Sequence, residues 1–445
     1  QPLPHPLPSR GGGEGEGERY FRMNENNYEL GFKEVAEEHP DFPRIIMRKI
    51  DTALRGVTLT ARALEKAREE GALYDASVDL GQKTPMLVLG GALFRDGTVV
   101  LGLENMYLQF PEKFIRRGSP YTLDAVDGRL WLLDGSEHVE EVFFVPVPAY
   151  FGKKTSRGTP MLKMVTPRFP CCLFIRIYNY CHFWEEKNPC RYCSFTMQVA
   201  QKEHIYTRES LEDIYETVNE ALKEEGRWMV LFLSGGSDPR GNSPYENTAD
   251  EYVKALRTLQ STFGTEKVYA RVVANAFPRE ELLRLKEAGA VTYEPHIEVW
   301  DEKLFEWICP GKAKYYGRQY WIDSALSAVE IFGRGNVCTQ FVGGVELTQP
   351  NGFKTMDEGL KSTLEGVEFF ARHGVASSFF ILWVVGGSIF YAQKQKPAPL
   401  EYHVRLAKGV RDIQRRYKLS MDFNNYRCSS GRPDVDLARL DYNKI

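Results

Sequence analysis

The sequence is sparing with cysteine, eight in 445 residues. That excludes the disulfide-dense class of small secreted scaffolds. It has no long uninterrupted apolar run, so no transmembrane helix is expected. It has no excess of one charge: 57 basic residues stand against 60 acidic ones, a formal net charge of -3. Such a balance leaves no electrostatic footprint for nucleic acid or for an anionic membrane surface. The N-terminus lacks the charged-then-apolar order of a secretory leader. Together these absences give the expectation of a soluble, cytoplasmic protein whose thiols stay reduced.

What is present suits a sizeable core, since 43% of the residues are hydrophobic. Residues 1–24 are rich in Pro, Gly and Glu and read as a tail that cannot bury a core. Residues 25–166 read as a small α+β domain of unassigned role. Within it a helix is expected over 45–70, and strands over 85–150 broken by Asp-Gly turns at 96–97, 127–128 and 134–135. From 167 to 395 the rhythm becomes regular. Apolar runs at 171–178, 228–236, 268–276, 291–299, 336–346 and 377–385 alternate with helical patterns at 208–225, from 248, at 279–288, 319–332, 356–373 and about 400–416. Thr207 is the expected N-cap of the first helix. Six β/α units predict a parallel sheet covered by helices, either doubly wound or a partial (β/α)6 TIM-like barrel. Strands that are apolar throughout agree with burial on both faces. Residues 396–445 are expected to close the mouth with a helix and a final segment. In either fold, ligands bind at the C-terminal ends of the strands.

At the end of the first of these strands stands CHFWEEKNPCRYC, residues 181–193. Cys190 and Cys193 form a Cys-x2-Cys pair, and eight residues separate Cys181 from Cys190. Three thiolates with no obvious fourth leave one coordination position open, as a catalytic metal centre requires. The competing reading is a structural Cys3His zinc site using His182 or His204 in a binding or scaffold protein. Only one Cys-x2-Cys pair is present, where structural zinc sites more often use two paired motifs.

A three-cysteine loop after strand one of a repeating β/α domain resembles the radical S-adenosylmethionine (radical SAM) superfamily, over roughly residues 168–390. The usual family spacing is Cys-x3-Cys-x2-Cys, so the eight-residue gap marks an atypical branch. The resemblance implies a [4Fe-4S] cluster on Cys181, Cys190 and Cys193, with SAM on the fourth iron. It implies reductive cleavage of SAM to a 5′-deoxyadenosyl radical that abstracts hydrogen from a small organic substrate or cofactor precursor. An electron donor such as ferredoxin or flavodoxin is then the expected partner.

The same resemblance assigns further residues to SAM. Tyr192, before the third cysteine, matches an aromatic that packs near the adenine. Gly235, Gly236 and Ser237 in SGGSDPRG match a strand-two glycine turn, with Asp238 beside the acidic position; a plain tight turn is the competing reading. The segment 294–321 is similar to the strand-four region of lipoyl-synthase-like members. There Glu298 is the candidate for ribose hydroxyls, and Lys312 and Arg318 are candidates for a carboxylate; solvated loop charges are the alternative. Gly343, Gly344 and Glu346 resemble the strand-five motif near the adenine. Arg271 and Asn275, on strand three, are candidates for the barrel mouth, and Arg271 is otherwise half of a structural ion pair.

Cys171, Cys172, Cys309, Cys338 and Cys428 are scattered and read as buried small hydrophobes. Segments 377–387 and 422–433 are expected to line the substrate side. No Asp-x-His-x-x-Gly segment occurs, so the chain resembles neither cobalamin-dependent methylases nor maturases with a cysteine-rich extension. The reaction type stays open among rearrangement, sulfur insertion, carbon–carbon bond formation and oxidation. A radical SAM domain without turnover is a further alternative.

Overall fold

The computed structural model describes residues 31–77, 79, 86–89, 92–94, 107–109, 119–168, 171–178, 180–195, 211–260, 269–419 and 432–442. The tail 1–24, the expected strand near 98–103, the 96–97 turn, Thr207, His204 and Cys428 lie outside these residues.

Six parallel strands form the central unit: β1 (Cys172–Tyr178), β2 (Val230–Gly235), β3 (Tyr269–Ala274), β4 (Thr292–Pro295), β5 (Cys338–Gly343) and β6 (Ala376–Ile381). β1 to β4 pair in sequence order, with Cys172 opposite Val230, Val230 opposite Tyr269 and Arg271 opposite Thr292. β5 pairs with β6. Backbone bonds from Tyr293 N to Asn336 O (3.1 Å) and from Val342 N to Glu298 O (2.8 Å) join the two sets. Among the described residues β6 does not return to β1, so the barrel is partial. The antiparallel strand Val165–Arg168 covers the outer edge of β1.

Strand alternation divides the side chains between two cores. Cys172, Phe174, Val230, Phe232 and Val273 pack together on one face. Leu173, Ile175, Leu231, Leu233 and Val272 join the larger core on the other. The helices α1 (Leu211–Ala221), α2 (Glu246–Leu259), α3 (Arg279–Glu287), α4 (Gly317–Phe332), α5 (Met356–Arg372) and α6 (Leu400–Arg416) follow the strands in turn. Their entries carry local signals. The Thr355 hydroxyl accepts from Glu358 N at 3.3 Å and the Glu358 carboxylate accepts from Thr355 N at 3.1 Å, a capping box of about 1 kcal/mol.

Three departures from the sequence expectation have physical causes. The helix expected over 45–70 is two helices, Arg44–Arg55 and Ala61–Glu69, separated by the short strand Thr58–Leu59. Gly56, at φ 82°, stops the first, and the Thr60 side chain caps the second. The connection after β4 holds two extra helices, Glu302–Ile308 and Pro310–Tyr315. Finally, Phe32–Arg55 packs between the barrel and the N-terminal sheet, where Arg48 donates to Tyr121 Oη and Asp134, both at 3.1 Å. Phe32, Ile46, Met47 and Ile50 belong to the larger core, and Lys49 makes a buried ion pair with Asp436 of α7 (Pro433–Tyr442). The sheet of Thr58–Leu59, Tyr121–Val126, Arg129–Asp134, Glu137–Phe144 and Ala92–Phe94 has its own core around Leu123, Leu130 and Leu132. The expected turn at Asp127-Gly128 is present, with both residues at positive φ, as a tight hairpin demands.

Candidate metal centre and cofactor cavity

The site begins where β1 and β2 end. Gly235 and Gly236 are there for a steric reason. A Cβ on Gly236 would sit 1.9 Å from the Tyr180 carbonyl oxygen and 2.9 Å from Cys181 Cβ, and one on Gly235 would sit 2.6 Å from the Tyr178 oxygen. The pair lets the cysteine-bearing chain lie flat across the end of β2. Gly236 N donates to Tyr178 O at 2.8 Å, and His182 N donates to Ser237 O at 2.7 Å. Asp238 turns away from the cavity to Tyr178 (3.0 Å) and to the Arg240 guanidinium (2.7 and 2.8 Å). Burial alone would raise its carboxyl, but the Arg240 pairing outweighs it and brings it down to about 2.

The other end of the loop is sewn to the segment after β4. Arg191 N donates to Ile308 O at 2.9 Å, Gly311 N donates to Asn188 O at 3.1 Å, and Arg191 Nε donates to Trp307 O at 2.6 Å. Cys193 N closes a turn on Cys190 O at 3.0 Å. Cys181, Cys190 and Cys193 thereby line one cavity, together with Tyr192, Gly235, Gly236, Ser237, Asn275, His296, Glu298 and Lys312. Phe183, Trp184 and Phe195 supply apolar wall.

The polar groups of that cavity are unequally matched. Glu298 sits at φ 71°, a conformation costly for a non-glycine residue. Its Oε1 accepts from Lys312 Nζ at 2.8 Å, while Oε2 is buried and makes no hydrogen bond. Lys312 Nζ also donates to His296 O at 2.8 Å and lies 3.9 Å from the Trp321 ring centroid. Burial opposes the Lys312 ammonium, but the attraction of Glu298 prevails and raises it above its ordinary value. Asn275 Oδ1 accepts from Ser237 Oγ at 2.5 Å, and its Nδ2 is buried without a partner. An acceptor and an amide donor are thus left for a ligand with hydroxyl, ammonium or carboxylate groups.

The three thiols differ. Burial raises Cys181, and burial with the neighbouring Cys190 pushes Cys193 up to about 12. Cys190 is lowered, chiefly by a side-chain hydrogen bond with Cys309. Cys309 itself is fully buried, outside the lining of the cavity. Of the other scattered cysteines, Cys172 and Cys338 are buried thiols, whereas Cys171 is disulfide-bonded and departs from the expected buried small hydrophobe.

Several residues singled out in the sequence do not reach this cavity. Arg318 donates from Nε to Trp300 O at 2.6 Å and stacks over the Trp300 ring at 4.1 Å. Arg271 is held bidentately by Glu294 in a buried pair below the cavity. Glu346 is fully buried, accepting from Gly344 N (2.9 Å) and Tyr402 (3.0 Å). Gly343 lies against Phe379, and Gly344 against Ala398.

A single zinc fits this donor set poorly. Both ring nitrogens of His182 are engaged, with Tyr180 and Tyr315 hydroxyls at 2.7 Å. Among the described residues, the one trio of Cys, His or carboxylate ligand atoms within 4.8 Å of one another is Glu38, His39 and Glu401. The three cysteines are more widely spread than a tetrahedral zinc allows, whose sulfurs stand about 3.8 Å apart given Zn–S bonds of about 2.3 Å. Thiolates that each take a different iron of a polynuclear cluster need that wider spread.

The site is thus a three-thiol loop with open space beside it, mounted at the C-terminal ends of a parallel β/α partial barrel. Residues 175–348 match the family model described as the radical SAM superfamily. A match to that superfamily implies a [4Fe-4S] cluster and SAM as cofactors. A curated relative, the bacteriochlorophyllide c C-7(1)-hydroxylase of Chlorobaculum limnaeum, is 23% identical over 258 residues, covering 55% of this chain and 60% of the relative. The match therefore spans less than two thirds of that protein. Among solved structures, methylornithine synthase aligns at a TM-score of 0.41 and 15% identity, over 65% of this chain and 78% of its own. A radical SAM methyltransferase from Sphaerobacter thermophilus aligns at 0.38 and 13%, over 88% and 93%. Among the described residues no helix is long and apolar enough to cross a membrane.

Proposed function

We propose that this chain is a radical SAM enzyme acting on a small organic substrate or cofactor precursor, with Cys181, Cys190 and Cys193 as the cluster ligands. The observation that carries the reading is the convergence of these three thiols on one cavity that also presents the unpartnered Glu298 Oε2 and Asn275 Nδ2. When bound, the cluster and SAM supply reductive cleavage and a 5′-deoxyadenosyl radical for hydrogen abstraction.

The protein supplies the rest. The three thiolates fix the loop, and Gly235 and Gly236 let it lie against β2. Glu298 offers a carboxylate oxygen to ribose hydroxyls or an ammonium group, and Lys312 holds that carboxylate in place. Asn275 offers an amide N–H to a carboxylate. Tyr192, which stacks edge-on against Phe380 at 6.3 Å, provides an aromatic wall, and Phe183, Trp184 and Phe195 keep water out. Ferredoxin or flavodoxin is the proposed electron donor. Similarity to a hydroxylase puts hydroxylation first among the reaction types to assay.

The test is anaerobic reconstitution with iron and sulfide, followed by visible absorbance and a dithionite-driven assay for 5′-deoxyadenosine. A brown protein that forms 5′-deoxyadenosine, and a colourless Cys190→Ala/Cys193→Ala variant that does not, is the expected result. A colourless wild-type chain that keeps stoichiometric zinc and leaves SAM intact would overturn the proposal in favour of a zinc-stabilised scaffold.

A further inference from the structure

Glu38 ends the helix Phe32–Glu38, His39 is its C-cap, and Glu401 lies in the first turn of α6. Packing brings these distant segments together, because Phe32, Val35 and Ala36 share the larger core with Leu400 and Val404. His39 N donates to Val35 O at 3.0 Å, and its own O accepts from Phe42 N at 3.0 Å. That turn lays residues 38–41 along one face of α6, where positions i and i+7 stand on the same side. At one end Asp41 meets Lys408, its two oxygens accepting at 2.8 and 2.6 Å. At the other end Glu38 and His39 meet Glu401. One nitrogen of His39 and one carboxylate oxygen of each glutamate lie within 4.8 Å of one another. None of the three residues lines the thiol cavity.

Among the described residues the His39 imidazole makes no hydrogen bond or ion pair, and its Nε2 is buried. A shielded polar atom without a partner costs free energy, and neutral imidazole beside carboxylates is a donor set for a metal ion. Competition for the glutamates is slight. Glu401 accepts one long bond, 3.4 Å from Arg405, which also pairs with Asp357. We propose that Glu38, His39 and Glu401 bind one divalent zinc ion that ties the N-terminal helices to α6. One imidazole and two carboxylates suit zinc, with water in the fourth position. Magnesium and calcium ask for an all-oxygen shell of six or more ligands, which this trio does not offer. Tetrahedral ligands at about 2.1 Å from zinc stand about 3.4 Å apart. The donors therefore need only close in, and the exposed Glu38 reaches that spacing by a change of rotamer.

The experiment uses the whole chain, anaerobically reconstituted, as wild type, His39→Ala, Glu38→Gln and Glu401→Gln. Each is equilibrated with zinc chloride and desalted, zinc per chain is counted by mass spectrometry, and thermal unfolding is followed with and without zinc. The cysteine loop is the same in all four, so zinc bound there cancels in the comparison. Wild type is expected to hold one zinc more than His39→Ala. The two glutamine variants should bind that zinc at least about tenfold more weakly, since even outer-shell changes cost that much. Zinc should raise the melting temperature of wild type and not that of His39→Ala, because a ligand that binds only the folded state stabilises it. Equal zinc content and equal zinc-induced shifts in wild type and all variants would overturn the proposal. Glu38→Gln alters an exposed side chain, so it keeps the test decisive if His39→Ala fails to fold. The outcome does not depend on what the three thiols hold.

Discussion

The Lys312 ammonium and the Glu298 carboxylate form an ion pair of 2.8 Å, each side chain only 8% exposed, at the rim of the thiol cavity. The two come from different elements: Glu298 follows β4, and Lys312 lies on the helix after Cys309. Trp321 closes the pair from α4. Such a pair is weak evidence for stability in itself, but breaking it leaves a buried charge without compensation.

Lys312→Met is therefore expected to destabilise the chain by about 3–5 kcal/mol, whereas Lys312→Met/Glu298→Gln recovers most of that loss. Urea unfolding of the four proteins of the cycle measures it. Additive losses in the double variant would show that the pair is not coupled.

Gly236 carries a second prediction. Its Cβ position lies 1.9 Å from the backbone oxygen of Tyr180, and backbone cannot yield as a flexible side chain does. Gly236→Ala should lift the cysteine loop off β2 and lower the iron retained after reconstitution to less than half, with helical content by circular dichroism unchanged. Gly386→Ala, where a Cβ meets nothing within 4 Å, serves as the control and should retain wild-type iron.

His403 gives a pH dependence. It is fully buried on α6, its ring stacked on Phe379 at 6.2 Å and 10°. Burial depresses it from 6.5 to about 3. The unfolded chain then binds the proton that the folded chain refuses. The stability is fully present above about pH 6.5 and is lost as pH falls toward 3, at about 1.4 kcal/mol per unit. His403→Phe removes this term, so wild type should lose stability relative to the variant as pH falls from 6.5 to 5. A constant difference across that range would refute it.

Much of the architecture could be read from local pattern. Runs such as CLFIRIY and WMVLFLSGG are apolar on both faces because both faces are covered, and Thr355 with Glu358 marks the start of α5. The helix over 45–70 was misplaced in extent because Gly56 and Thr60 act through backbone conformation and capping, which hydrophobic periodicity does not register. Gly235 and Gly236 are legible as a glycine turn after β2, whereas the contacts that forbid side chains there, the chain's own Tyr178 and Tyr180 carbonyls, are not. Arg318 and Glu346 looked available for a ligand by position and are occupied by partners that only packing supplies.

The sequence by itself determined the β/α order, the Cys-x2-Cys loop at the end of β1 and hence the kind of chemistry the site can hold, because strand burial and thiolate spacing are properties of neighbouring residues. The tertiary structure decided which charges face the cavity, paired Lys312 with Glu298, and set Gly311 against Phe183 and Asn188 of the cysteine loop. Those contacts join segments distant in the chain, and their existence depends on how the loop after β1 docks against the helices after β4, a matter of backbone geometry that no local pattern encodes.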